Sequence, residues 1–489
     1  MNLSMFINGT WVQALDGRQR EVRNPATGEV IAYAAEGSAE DAKLAIQAAR
    51  AAFDSGVWCD LPAAVRAAYL FDIAGKLDER AEELSVLETL DNGKPLRETK
   101  IDLSDAAACF RYYAGLITKP SGQTYEVADP VQTIVVHEPV GVCGLIVPWN
   151  YPLLMAVWKL APALAAGNTV VFKPSEMTPV TAVKLFEIFE QAGLPPGTAN
   201  LVMGAGAAVG HELAESQFVD KVSFTGGTVT GRSIMRAAAG NIKKISLELG
   251  GKSPNIVFED SDLELAVDYA LFAIFANQGQ VCSAGSRLLL QENIHDAFIE
   301  RLAERARAIK VGPGLSEGTE MGPLVSEMHM EKVLGYIRQG QEEGAKLVCG
   351  GNRLTEEGLG SGYFVEPTIF TDTTPSMSIV REEIFGPVLV IQTFTDEADA
   401  IRVANDSPYG LAAGVFTNDG AKALRVIKKV RAGITWINTY HNTYNEAPWG
   451  GYKQSGIGRG LGTFGLQEFQ EVKQININLD VQPIGWFEQ

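Results

Sequence analysis

Cysteine is scarce in this chain of 489 residues: there are five, Cys59, Cys109, Cys143, Cys282 and Cys349, and no two form a Cys-x-x-Cys pair. An odd, widely spaced set argues against a disulfide framework or a zinc-type cluster and fits reduced thiols in a reducing compartment. Positive charge is in deficit. With 41 Lys and Arg against 59 Asp and Glu the formal net charge is −18, so a nucleic acid or an anionic membrane would meet a repulsive mean field, and neither is expected as a partner. No stretch stays apolar for membrane-spanning length, and Met1 to Trp11 has neither a basic n-region nor a long apolar core, so the expected location is the cytoplasm. Biased and repetitive segments are missing too. Hydrophobic residues at 46% and charged residues at 20% describe a chain folded throughout, long enough for about three domains.

What is present is a change of pattern along the chain. From about 37 to 115 apolar residues recur at helical spacing, through Ala42 to Phe53 and Arg66 to Leu90. Around 122 to 138 the text turns β-branched and alternating, with Asp129-Pro130 as a turn, which predicts a two-stranded arm. A strand–helix alternation follows: strands are expected near 140–147, 169–172, 199–203 and 221–224, with helices near 153–166, 180–192 and 230–238. Such spacing predicts parallel pairing with helices on both faces, the architecture in which nucleotides bind at the carboxyl ends of strands. A second alternating region runs from Ser253 to about Trp436. The tail Val472 to Leu479 alternates like an edge strand, which left uncovered invites pairing with another subunit.

Two residues carry the chemistry. Cys282 stands in Phe275-Ala-Asn-Gln-Gly-Gln-Val-Cys282-Ser-Ala-Gly-Ser-Arg287 and Glu248 in Leu247-Glu-Leu-Gly-Gly-Lys-Ser-Pro-Asn255. A lone cysteine is ordinarily a small buried hydrophobe, but the neighbours here are glycines and polar amides. An ionised thiol attacks carbonyl carbon, and a carboxylate nearby activates water to release the acyl group. Asn150, after an apolar strand in Val147-Pro-Trp-Asn-Tyr-Pro152, is placed to donate to an oxyanion. The Gly-rich run Phe224-Thr-Gly-Gly-Thr-Val-Thr-Gly231 opens a helix after a strand and offers N–H groups to a diphosphate; its spacing is not G-x-G-x-x-G, and a plain tight turn needs the same residues. Lys173 and Glu176, in Lys173-Pro-Ser-Glu176, suit ribose hydroxyls, the carboxylate disfavouring a 2′-phosphate; a solvated strand end reads the same way. His329 and His441 raise a Cys–His hydrolase as an alternative, although neither lies in a supporting motif.

Seven segments in order, Pro148-Trp-Asn-Tyr-Pro152, Lys173-Pro-Ser-Glu176, Phe224 to Gly231, Leu247-Glu-Leu-Gly-Gly-Lys252, Gly279-Gln-Val-Cys282, Glu382-Glu-Ile-Phe-Gly-Pro387 and Pro448 to Gly456, resemble the NAD(P)-dependent aldehyde dehydrogenase superfamily along nearly the whole chain. The resemblance implies an α/β fold in three parts: a Rossmann-like cofactor domain over 1–120 and 140–250, a second α/β catalytic domain over 251–450, and a small β oligomerisation arm from 121–139 and 466–489, within a homotetramer or homodimer. It implies that Cys282 attacks the aldehyde, that Asn150 and the Cys282 N–H hold the oxyanion, that hydride passes to NAD, with NADP as the alternative, and that Glu248 activates the water that releases free acid. Lys159 joins this catalytic group. No metal is required. The implied cofactor contacts are Ile146, Trp149, Lys173, Ser175, Glu176, Gly206, Gly226, Gly227, Thr230, His329, Glu383 and Phe385.

Within the superfamily the chain is most similar to betaine aldehyde and aminoaldehyde dehydrogenases. The resemblance puts Tyr151, Trp158 and Trp449 where those enzymes set aromatic rings around a trimethylammonium group, and adds Ala276, Val281, Ser283 and Thr443 to the pocket. Ala276 departs from that pattern, since many members carry a large aromatic there; a medium-chain aliphatic or aromatic aldehyde is the alternative small-molecule substrate. A catalytically silent protein on this fold would be expected to lack the cysteine or the glutamate, and both are present.

Overall fold

The computed structural model describes residues 1–119, 122–356 and 358–487. The expected division at 120/121 and the end of the arm at 488–489 therefore lie outside the described residues. The first α/β unit is an eight-stranded sheet in the order Gly456–Ile457, Lys244–Glu248, Lys221–Thr225, Val142–Ile146, Thr169–Lys173, Ala199–Leu201, Met5–Ile7, Thr10–Val12. Its five central strands, from Lys244–Glu248 to Ala199–Leu201, run parallel and the outer ones antiparallel. Strands such as Val142–Ile146 and Thr169–Lys173 are buried at every residue, which is why they read as continuous apolar runs. The helix Pro152–Ala165, buried at all but one residue and apolar except for Lys159, packs into this interior. Short N-terminal strands complete the sheet edge, a contribution with no periodicity long enough to announce it.

Chain order decides where a ligand can sit. Val142–Ile146 is followed on one side by Thr169–Lys173 and on the other by Lys221–Thr225, so the connections leave in opposite directions and a crevice opens at the carboxyl ends of these strands. The helical stretch before the sheet is Ala39–Asp54, Ala63–Glu79, Ala81–Asn92 and Leu96–Ile117. Ser38 starts the first of these with a reciprocal capping box to Asp41. The expected continuous pattern from Arg66 to Leu90 is divided at Arg80.

The second unit is a seven-stranded sheet in the order Lys346–Cys349, Thr368–Thr371, Val388–Phe394, Arg287–Gln291, Pro254–Val257, Ala412–Phe416, Ile434–Ile437, parallel except at its first pair. The two-stranded arm read from residues 122–138 gains a third strand from the tail, which the resemblance groups with it. Gln123–Tyr125 and Val131–Pro139 pair antiparallel, and the tail strand Gln470–Asn478 joins Val131–Pro139 over nine residues, from Gln470 opposite Pro139 to Asn478 opposite Val131. The tail thus finds its first partner within its own chain, a pairing between segments more than 300 residues apart that no local pattern encodes. Among the described residues no helix is long and apolar enough to cross a membrane.

Candidate active site

A cavity of about 1130 Å³ opens at the carboxyl ends of the parallel strands and continues toward the second sheet. Asn150 enters it from the loop between the strand Val142–Ile146 and the helix Pro152–Ala165, whose first residue is a proline that fixes where the helix begins. Asn150 is buried, and its Nδ2 donates to the Gln280 carbonyl at 2.8 Å. An amide has two N–H groups, so one holds the loop and the other is available to a ligand.

The loop that carries Cys282 leaves the helix Leu263–Phe275 through three consecutive left-handed residues, Asn277 (φ 45°), Gln278 (φ 57°) and Gly279 (φ 71°). A Cβ on Gly279 would stand 2.1 Å from the Gly386 carbonyl oxygen, so only glycine fits. Side chains hold the turn. Asn277 Nδ2 donates to the Asn150 carbonyl at 2.9 Å, Glu98 accepts the Asn277 N–H at 2.9 Å, Gln278 bridges Gly322 and Pro323, and Gln280 accepts the Val325 N–H at 3.0 Å. Burial pushes the Cys282 thiol up to about 12, and the Glu383 and Glu248 carboxylates push the same way. Cys282 lies in a turn and no helix starts there, so no helix N-terminus assists its thiolate.

Glu248 ends the strand Lys244–Glu248, and its Oε2 is buried with no hydrogen-bond partner. Burial raises its carboxyl, with Lys159 and Arg459 opposing. Lys159, buried on the helix Pro152–Ala165, donates to Ser223 Oγ at 3.0 Å, and burial lowers its ammonium. The carboxylate and the amine therefore share one poorly solvated wall, where the charge of each stabilises the other's.

On the cofactor side, Ile146, Trp149, Lys173, Ser175, Glu176, Gly206, Gly226, Gly227 and Thr230 all line the cavity. Lys173 Nζ lies 3.3 Å from Glu176 Oε2. The helix Thr228–Ala238 has Gly227 as its N-cap and so begins two residues before the expected Thr230. A Cβ built on Gly206 or Gly227 meets no protein atom within 4 Å; in the cavity wall that is space a side chain would take from a ligand. Such a backbone-lined cradle at a helix start suits a diphosphate. Glu383 accepts the Gly251 N–H at 3.0 Å and is raised by burial to about 7. His329, Trp149 and Phe385 form an aromatic group, with Trp149 ring centroids 5.0 Å from His329 and 5.3 Å from Phe385. His329 Nε2 lies 2.7 Å from the Phe385 carbonyl, and burial lowers its imidazole to about 4, so the neutral ring donates there.

Toward the second sheet the same cavity meets Tyr151, Trp158, Ala276, Val281, Ser283, Thr443 and Trp449. Trp158 and Trp449 stack edge to face at 5.5 Å. Every residue the sequence nominated thus faces one cavity. Those it missed are as telling. Glu98, Ile101, Asp102 and Asp105 also line it, and their spacing of three, four and seven residues on the helix Leu96–Ile117 was a readable signal, one acidic helix face. Arg459 and the turn-holding Asn277 had none. His441, weighed only as a hydrolase residue, lines the cavity but spends Nε2 on the Ala273 carbonyl at 3.1 Å and Nδ1 on Ser283 Oγ at 3.4 Å.

Comparison with known proteins places this geometry in company. The model of the "Aldehyde dehydrogenase family" matches residues 11–475. The chain is 52% identical to a betaine aldehyde dehydrogenase of Bacillus subtilis (strain 168), covering 100% of both, and 47% identical to an aminoaldehyde dehydrogenase of Zea mays, covering 99% of this chain and 97% of that one. A crystal structure of betaine aldehyde dehydrogenase from Staphylococcus aureus, in complex with NAD+, superposes with a TM-score of 0.98 at 48% identity, covering 100% of this chain and 97% of that chain.

Proposed function

The chain belongs to the aldehyde dehydrogenase family, and from that premise we propose that Cys282, Glu248 and Asn150 carry an NAD-dependent oxidation of betaine aldehyde or an aminoaldehyde to the free acid. The observation that carries this reading is the presence in one cavity of a thiol, a carboxylate with one buried and unpartnered oxygen, and a half-committed amide, together with a glycine-lined cradle. NAD, when bound, supplies the hydride acceptor. Lys173, Ser175 and Glu176 would hold its adenosine ribose, Gly206, Gly226, Gly227 and Thr230 its diphosphate, and Glu383 its second ribose, with Ile146, Trp149, His329 and Phe385 as walls. Glu176 favours NAD over NADP.

The residues divide the work. Cys282 Sγ bonds to the carbonyl carbon once its proton has passed to solvent; Glu248, whose charge raises that thiol, stays ionised for the later step. The free N–H of Asn150 Nδ2 and the Cys282 N–H stabilise the oxyanion, each such donor being worth roughly 3 kcal/mol. Loss of hydride from the carbon leaves a thioester on Cys282. Glu248 then takes a proton from water, whose oxygen attacks the thioester carbon; the C–S bond breaks, the acid leaves and the thiol is restored. Lys159 balances the charge of the Glu248 carboxylate.

A cationic substrate is supported by the Trp158–Trp449 pair and Tyr151 and by Glu98, Asp102 and Asp105 on the same wall. A second reading, a bulkier uncharged aldehyde, is favoured by Ala276, which leaves room where a large ring would stand. NADH formation with betaine aldehyde, aminobutyraldehyde, hexanal, phenylacetaldehyde and the tert-butyl isostere of betaine aldehyde tests both. A kcat/KM advantage for the cations over the isostere is expected; equal values would favour the uncharged reading, and no NADH from any of them would refute the function.

The finer organisation belongs to the same proposal: a cofactor domain from 1–120 and 140–250, a catalytic domain over 251–450, and an arm from 121–139 and 466–489 that joins copies into a homotetramer or homodimer in the cytoplasm. Support for the arm's role comes from its outermost strand, where Val472, Ile475 and Ile477 stand in solvent in the single chain.

A further inference from the structure

Lys94 is fully buried, and its Nζ stands 4.0 Å from the centroid of the Tyr151 ring. It is held there by Asp102 at 2.6 Å and, more loosely, by Glu88 at 3.8 Å. Tyr151 lines the cavity and Lys94 does not, so the ring face that Lys94 covers is the one turned away from the ligand space. The position follows from the chain. Gly93, at φ 97°, closes the helix Ala81–Asn92, and Pro95 caps the helix Leu96–Ile117, so Lys94 is trapped between two helix ends beneath the loop that carries Tyr151.

A ring with a cation against one face attracts a second cation less well on the other. The two charges, each with a stand-off of about 4 Å from the ring, are roughly 8 Å apart in a wall from which water is largely excluded. Asp102 works the other way, both by neutralising Lys94 and by facing the cavity itself. We propose that Lys94 is a specificity-determining residue: a cation the protein holds against the back of Tyr151, which together with Asp102 sets how strongly the cavity prefers a quaternary ammonium over an uncharged group of the same shape. The inference rests on the reading of this wall as the substrate side. It goes beyond that reading in giving one lysine an adverse effect on the preferred charge, so that cation selectivity is held below what the aromatic rings alone would give.

The test uses choline and its uncharged tert-butyl isostere, neohexyl alcohol, as dead-end ligands of the full-length protein with NAD present. The readout is the concentration of each that protects Cys282 from iodoacetamide, followed by mass spectrometry. K94M is expected to raise the preference for choline by roughly three- to tenfold, and D102N to lower it by a similar factor. Opposite directions are the signature. A purely structural role for Lys94 would weaken both ligands together in both variants, and an unchanged ratio, or a ratio moving the same way in both, overturns the proposal. Should K94M fail to fold, judged by loss of NAD-dependent thermal stabilisation, D102N alone decides, since a choline preference that does not fall refutes the charge balance. Protection needs no turnover, so absence of NADH formation would sink the function and still leave these ratios to be read.

Discussion

Asn277→Gly separates the work of a side chain from that of its backbone. Asn277 sits at φ 45°, a conformation glycine adopts freely, and its N–H would still reach Glu98. What disappears is the amide that donates to the Asn150 carbonyl at 2.9 Å and, at 3.4 Å, to the Gln280 carbonyl. One buried carbonyl left without its donor costs about 1–3 kcal/mol, and the added freedom of glycine about 0.5–1 kcal/mol, so a loss of roughly 2–4 kcal/mol in folding stability is expected. For catalysis the ceiling is complete misplacement of the oxyanion donor, about 10²–10³ in kcat. Asn150 keeps its own bond to Gln280 at 2.8 Å, so a part of that is expected, about 10- to 100-fold. Steady-state kinetics, a rapid-mixing measurement of the NADH burst and a thermal melt check this together. KM for NAD should be unchanged, and Asn277→Ala should be less stable than Asn277→Gly, because alanine pays about 1 kcal/mol or more in the left-handed region. Wild-type kcat in a folded Asn277→Gly variant would refute the coupling of the turn to the oxyanion donor, and alanine more stable than glycine would refute the backbone argument.

Cys282→Ala should abolish oxidation while NAD still raises the melting temperature by mass action; residual turnover at the wild-type rate, followed by NADH absorbance, would remove the thiol from the mechanism. Glu248→Gln should retain a hydride burst but lose steady-state turnover by about 10²–10⁴-fold, which quench-flow separates cleanly. The pH dependence follows from the same residue. Burial raises Glu248 above the ordinary 4.5, with Lys159 and Arg459 only partly opposing, and the base form is lost as pH falls through the raised value. Hydrolysis-limited kcat should therefore drop on the acid side at a pH well above 4.5, and that limb should vanish in Glu248→Gln; an acid limb near 4.5 in the native protein would mean the carboxyl is not desolvated.

The proposed nucleophile, base and oxyanion amide and the parallel α/β architecture were legible in the sequence, because each is written in a short run: glycines where backbone must approach a ligand, an apolar strand ending in a polar loop, a thiol among amides; the proposed cofactor walls came from the resemblance to a family. Local chemistry of this kind survives in one dimension. Tertiary structure alone decided the rest. The tail strand Gln470–Asn478 pairs with Val131–Pro139 across the whole length of the second sheet's sequence, and Lys94 comes to lie behind Tyr151 although nothing near either residue names the other. Whether Cys282 is acidic or basic could not be read from its neighbours, since the raised thiol comes from burial and from Glu383 and Glu248, which are brought to it from distant segments. Sequence specifies which groups are available; desolvation and distance, which set their charge and their partners, exist only once the chain is folded.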